Sequence, residues 1–199
     1  GCKHAWETGI AFNIAGGTHH AFSDRGEACC LLNDQAIAAQ YLINQKKCHK
    51  ILIVDLDVHQ GNGTAEIFQN NADVITFSMH GQSNYPFRKE TSDYDIALPD
   101  KTDDTTYLSI LQETLPELLN IHRPDFVFYL AGVDILGTDK LGKLGCTLEG
   151  CKTRDSYVLG LCKSLGIPVQ VSMGGGYSPA IKTIIEAHAN TYRVARALY

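Results

Sequence analysis

Apolar residues along this chain gather in short, nearly continuous runs, and stretches with helical spacing separate those runs. Segments 50–57, 73–79, 125–131 and 167–173 are apolar and rich in β-branched residues, and 10–15 is a shorter run of the same kind. Strands that are apolar at successive rather than alternate positions belong to a parallel sheet covered on both faces. Between them, 32–45, 105–121, 153–165 and 180–198 place apolar residues at helical spacing. Asn33 or Asp34 opens the first of these helices, and Gly166 followed by Pro168 closes the third. Pro116 predicts a bend or break in the second, because proline cannot donate to the carbonyl one turn back. Strand and helix in alternation predict an open, mostly parallel α/β sheet with right-handed crossovers and helices on both faces. No internal repeat, low-complexity tract or linker interrupts the pattern, so residues 1–199 read as a single domain.

Composition narrows the class. A hydrophobic fraction of 44% and a charged fraction of 20% are those of a globular protein and argue against disorder and a coiled coil. The formal net charge of -5 leaves no basic footprint for direct contact with nucleic acid. No apolar run is long enough to span a membrane, and no charged segment followed by an apolar one suggests a secretory signal. The 7 cysteines are odd in number and contain no C-x-x-C pair. That argues against a disulfide framework and a thiolate zinc site, and sets reduced thiols and a cytoplasmic location as the expectation.

In open α/β sheets the ligand site lies beyond the carboxyl ends of the strands. The chemically capable residues of this chain collect at those positions. Asp55, Asp57 and His59 follow one strand at a spacing of two, which on an extended strand puts all three side chains on one face. Buried carboxylates there need a partner or a cation. Hydrogen bonding at the strand end accounts for one aspartate more readily than for two with a histidine. An oxygen and nitrogen donor set suits zinc or another divalent transition metal. Asp134, beyond a second strand, supplies a third ligand and leaves a position open for water and substrate; alone, it is equally suited to capping a turn. His19 and His20 follow the Gly16-Gly17 turn, and such a pair beside a metal can divide the roles of base and charge stabiliser. Gly174-Gly175-Gly176-Tyr177 combines a backbone open to close approach with a phenol able to donate to an oxyanion.

The segments Gly16-Gly17-Thr18-His19-His20-Ala21, Asp55 through Gly63, Ala131-Gly132-Val133-Asp134 and Gly174 through Tyr177 occur in this order. Leu32-Asn33-Asp34 and the run Gly137 through Gly142 support them. Together they resemble the histone deacetylase family, in wording closest to its class IV branch and bacterial relatives. The resemblance implies the arginase/deacetylase fold and hydrolysis of an N-acyl amide, with an acyl-lysine protein or a small acylated amine as substrate. It also implies zinc on Asp57, His59 and Asp134. His20 is then general base and acid, His19 its electrostatic partner oriented by Asp55, and Tyr177 the group that polarises the acyl carbonyl. A structural potassium is implied at Asp55, Ser78 and Met79, with the backbone carbonyls of Asp57 and His59.

Three features depart from the family pattern. Asn62 stands where many relatives carry an aspartate behind the second histidine, which makes His20 less basic than a carboxylate would. Ala28-Cys29-Cys30 replaces a Gly-Phe-Cys sequence, so Cys29 falls where an aromatic tunnel wall is expected. The chain also begins later than the family domain does and corresponds to its C-terminal two thirds. Two other readings stay open. An arginase-like binuclear hydrolase needs Asp-x-His-x-Asp, but Gly61 holds the last position. A binding domain or inactive remnant is the alternative outside enzymology.

Overall fold

A computed structural model describes residues 1–199. The elements in chain order are α1 (Cys2–Thr8), β1 (Ile10–Asn13), α2 (Asp34–Asn44), β2 (Ile51–Asp55), α3 (Asn62–Phe68), β3 (Val74–Gly81), β4 (Tyr94–Leu98), α4 (Asp104–His122), β5 (Phe126–Leu130), α5 (Leu148–Leu165), β6 (Val169–Ser172) and α6 (Ile181–Leu198). The strands form one sheet in the order β1-β6-β5-β2-β3-β4, and every pairing is parallel. No helix is long and apolar enough to cross a membrane.

The continuous apolar runs are explained by two cores, one on each face of the sheet. In β2, Leu52 and Val54 face the core made with α4, α5 and α6, while Ile51 and Ile53 face the one made with α1, α2 and α3. In β5, Val127 and Tyr129 turn to the first core and Phe126 and Phe128 to the second. Each residue of β2 and β5 is thus buried whichever way it points.

Side-chain caps start α2, α4 and α5. Asn33 accepts from the Ala36 N–H, Asp103 from Thr106 and Thr147 from Gly150. The Thr147 cap begins α5 at Leu148, five residues before the periodicity of 153–165 makes it visible. The Asp104 carboxylate holds that cap, accepting from the Thr147 N–H at 2.8 Å and its hydroxyl at 2.6 Å. The expected break at Pro116 does not occur, and α4 runs from Asp104 to His122 as one helix. The carbonyl that Pro116 cannot serve is that of Gln112, and the Tyr157 hydroxyl of α5 donates to it at 3.3 Å.

The strand order sets the site. From β2 the chain moves outward through β3 to β4, while β5, the other neighbour of β2, leads outward through β6 to the β1 edge. The crevice at such a reversal, beyond the carboxyl ends of the strands, is where α/β sheets bind ligands. The segments after β2 and β5 carry Asp57, His59 and Asp134.

Candidate active site

Asp57, His59 and Asp134 meet below the end of the sheet, with one donor atom from each lying within 4.8 Å of the others. They are 1%, 8% and 0% exposed. Residues spaced by two come together here by a different route from the one expected. The strand ends at Asp55, so Asp57 and His59 lie in a loop. That loop turns on its own carboxylates: Asp55 Oδ1 accepts from the Asp57 N–H at 3.1 Å, and Asp57 Oδ1 from the His59 N–H at 3.0 Å. Aspartate favours such local turns. Asp134 Oδ1 accepts from the Val58 N–H at 2.9 Å, and Asp57 Oδ2 from the Gly175 N–H at 2.7 Å. The glycine-rich segment after β6 therefore closes on the set. A side chain at Gly132 would collide with Asp57, and one at Gly175 with Asp134.

This arrangement fits a divalent cation. Asp134 Oδ2 is buried and has no hydrogen-bond donor. His59 Nδ1 lies 3.2 Å from it but is hydrogen-bonded to Asp57 Oδ1 at 3.0 Å. Burial and then the Asp57 charge push the Asp134 carboxyl up to about 7. For His59, burial opposes protonation, but the neighbouring Asp134 and Asp57 carboxylates raise it to about 10. Two carboxylates and an imidazole focused on one unsatisfied point form a donor set of the kind zinc takes.

The tandem histidines stand beside this floor, ring centroids 4.1 Å apart. His19 Nδ1 is 2.6 Å from Asp55 Oδ2, and His20 Nδ1 is 2.7 Å from Asn62 Oδ1. Their environments drive them in opposite directions. Burial disfavours charge on His19, but Asp55 outweighs it and raises the ring to about 9. Burial, then the His19 charge, lowers His20 to about 3. The turn that presents them is fixed by Asp34, whose Oδ1 accepts from Gly17 N–H, Thr18 N–H and the Thr18 hydroxyl. Asp55 and Ser78, two of the expected potassium ligands, are register partners on β2 and β3, and both are 3% exposed.

A pocket of about 430 Å³ opens above His20 and His59. Cys29, Tyr85, Phe87, Leu141 and Tyr177 line its apolar wall, and Lys143 stands among the polar lining residues. Cys29 thus occupies the wall position that the sequence suggests, and it is exposed. Tyr177 sits across from the metal set, its ring 6.4 Å from that of His59. Its backbone N–H donates to Asp139 Oδ2 at 2.6 Å, which gives the 137–142 segment a role in placing it.

The sequence model of the histone deacetylase domain matches residues 2–192. The chain belongs to the histone deacetylase family. The deacetylase-family chain is 48% identical over 195 residues to an uncharacterized protein of Picosynechococcus sp., covering 98% of itself and 65% of that protein. It is 31% identical over 186 residues to histone deacetylase 2 of Arabidopsis thaliana, covering 92% of itself and 48% of that protein. Among solved structures it is similar to the HDA15 HD domain, with TM-score 0.80 and 28% identity over 99% of this chain and 60% of that one. It is equally similar in fold to the acetylpolyamine aminohydrolase of Burkholderia pseudomallei, with TM-score 0.80 and 26% identity over 99% of this chain and 59% of that one. It thus spans less than two thirds of each of these relatives.

Every residue named from the chain's motifs gathers at the one end of the sheet, but several neighbours escaped those motifs. Arg154 of α5 is fully buried, and its Nη1 donates to the carbonyls of Leu56 at 3.2 Å and Gly132 at 2.6 Å. It thereby ties the loop after β2 to the loop after β5. Asp155 Oδ1 balances it, accepting from Nη2 at 2.8 Å. The readable signal is the stripe Cys151, Arg154, Asp155, Val158 and Cys162, in which a charged pair sits on an otherwise apolar helix face. Glu27 and Tyr85, which border His20, carry no comparable sequence signal.

Proposed function

We propose that this chain hydrolyses the amide of an N-acylated amine, either an acyl-lysine protein or a small acylated amine such as a polyamine. The proposal assigns zinc to Asp57, His59 and Asp134. The observation that carries it is the unsatisfied Asp134 Oδ2, buried between two other donors at the base of a pocket that also exposes His20 and Tyr177. A divalent metal in that set supplies Lewis acidity toward the acyl oxygen and toward water.

The chain's own groups supply the rest. His20 takes a proton from the attacking water and returns it to the leaving amine nitrogen. Its low proton affinity suits release at the second stage. His19, kept protonated by Asp55, places a positive charge beside the developing negative one. The Tyr177 hydroxyl donates to the acyl oxygen as charge builds there, and burial pushes that hydroxyl above its ordinary pKa, so it keeps its proton. Asp55 and Ser78, with the backbone at Met79, Asp57 and His59, complete the proposal as a potassium site beneath the floor.

The test is elemental analysis of purified protein together with turnover of acyl-lysine peptides and acylated polyamines. One divalent metal per chain with amide hydrolysis supports the reading. Two metals per site would return it to the arginase-like alternative. Metal without turnover on any substrate of the panel would return it to a binding domain.

A further inference from the structure

Glu27 lies outside every motif that points to the site, yet it is bonded into it. Its Oε1 accepts from Asn62 Nδ2 at 2.7 Å and from the Tyr85 hydroxyl at 2.6 Å. The backbone fixes it there, because Glu27 and Cys30 exchange N–H to carbonyl bonds at 3.0 and 2.9 Å in a short antiparallel bridge. Tyr85 in turn meets the His20 ring edge-on, with centroids 5.0 Å apart. Glu27, Asn62, His20 and Tyr85 therefore form one closed group.

The chemistry of that group has a single consistent arrangement. The Tyr85 hydrogen bond holds the Glu27 carboxyl below its ordinary range, outweighing burial, and Asn62 adds to it. An ionised carboxylate has no hydrogen to give, so only the NH2 end of Asn62 can face it. That leaves Asn62 Oδ1 toward His20 Nδ1, at 2.7 Å. An amide oxygen also has no hydrogen to give, so the imidazole must supply the one on Nδ1. Its lone pair is then on Nε2.

We propose that Glu27 is a positioning residue, which orients the Asn62 amide and so holds His20 as the Nδ1–H form with Nε2 free to accept a proton. This rests on the reading of His20 as the general base. It also changes the meaning of asparagine at position 62. The carboxylate of the family pattern is not lost but stands one side chain further out, at Glu27, whose side chain is 27% exposed.

The experiment compares the wild-type protein with Glu27→Ala, Glu27→Gln, Asn62→Asp and the double variant Asn62→Asp with Glu27→Gln. Metal content and melting are checked for each. Imidazole 15N spectra are expected to show His20 as the Nδ1–H tautomer in the wild type and in Glu27→Gln, whose amide oxygen can still accept from Asn62. Glu27→Ala is expected to mix the tautomers and to lower kcat by roughly 10-fold, with KM and metal content unchanged. Asn62→Asp sets two carboxylates against each other and lowers kcat. Adding Glu27→Gln gives the new carboxylate a donor and restores activity at least in part. An unchanged His20 spectrum in Glu27→Ala, or equal rates for Asn62→Asp and the double variant, overturns the proposal. Absence of turnover in the wild type would overturn the functional reading instead, and the nitrogen spectra still decide the role of Glu27.

Discussion

Asp57, His59 and Asp134 at the floor of the site are 1%, 8% and 0% exposed, whereas Phe87 and Tyr177 at its mouth are 91% and 39% exposed. The floor is held by backbone. Each of its two carboxylates accepts from at least one main-chain N–H, and Arg154 locks the carbonyls on either side. The mouth consists of side chains on loops, with few such ties. The floor and the mouth should therefore fail in different ways. Damage to the floor should appear in metal content and stability, and damage to the mouth in turnover alone.

The largest expected break is Asp134→Asn at the floor. It replaces one of the three donors, an anionic carboxylate, with a neutral and weaker amide oxygen. Elemental analysis should find the metal gone and turnover lost with it. Binding zinc at 100 times its Kd stabilises a folded protein by about 2.7 kcal/mol, and that gain in melting should vanish in the variant. Unchanged metal content would place the ion elsewhere.

Arg154→Met tests the brace under the floor. It frees two carbonyls and leaves Asp155 buried without its cation. Removing one partner of a buried ion pair costs about 3–5 kcal/mol. Urea unfolding should register that loss, and metal affinity should fall because the two ligand loops are no longer joined. A variant as stable as the wild type would remove Arg154 from this role.

Tyr177→Phe tests the mouth. Loss of one oxyanion donor lowers kcat by roughly 10²–10³-fold. Melting and metal content should stay put, which is the converse of the two floor variants. An unchanged rate would show that the phenol takes no part.

The smallest effect concerns pH and again separates buried from exposed. His80, at the end of β3, is 1% exposed. Burial, with Lys89 adding, lowers it to about 4, against the pull of Asp95 and Ser78. Its folded pKa lies below its unfolded one, so the unfolded chain binds the proton first as pH falls. Stability is then complete above about 6.5 and declines as pH drops from there toward 4. In His80→Gln that part of the decline should flatten in pH-dependent unfolding. A slope identical to that of the wild type would show that His80 contributes none of it.

Much of the floor was legible in the sequence, because its residues are improbable where they stand. Aspartates and histidines closing apolar runs need a reason, and Asp55, Asp57, His59 and Asp134 all fall at such ends. The strands β2, β3, β5 and β6 were legible for the same reason, since continuous apolar runs admit few other readings. What escaped detection was whatever depends on folding to acquire meaning. β4 escaped because it alternates in burial at the sheet edge and has no continuous apolar run. Helices α1 and α3 are 7 residues each, too short for a period to register. Glu27 escaped because a glutamate in a polar loop is ordinary until Asn62 and Tyr85 are brought to it. Of the bend or break expected at Pro116, the break is absent, and the donor that reaches the carbonyl left by the proline, Tyr157, lies 41 residues further along the chain.

That hydroxyl also works as a register pin. Tyr157 reaches the interior carbonyl of α4 that Pro116 leaves without its usual donor, so α5 can slide or rotate against α4 only by abandoning it. Arg154 lies three positions earlier on α5, just under one turn, and its guanidinium spans the two loops of the floor. A proline on α4 thus helps to index the arginine beneath the candidate metal ligands. The alignment of the site is anchored in part to a helix that contributes no residue to it.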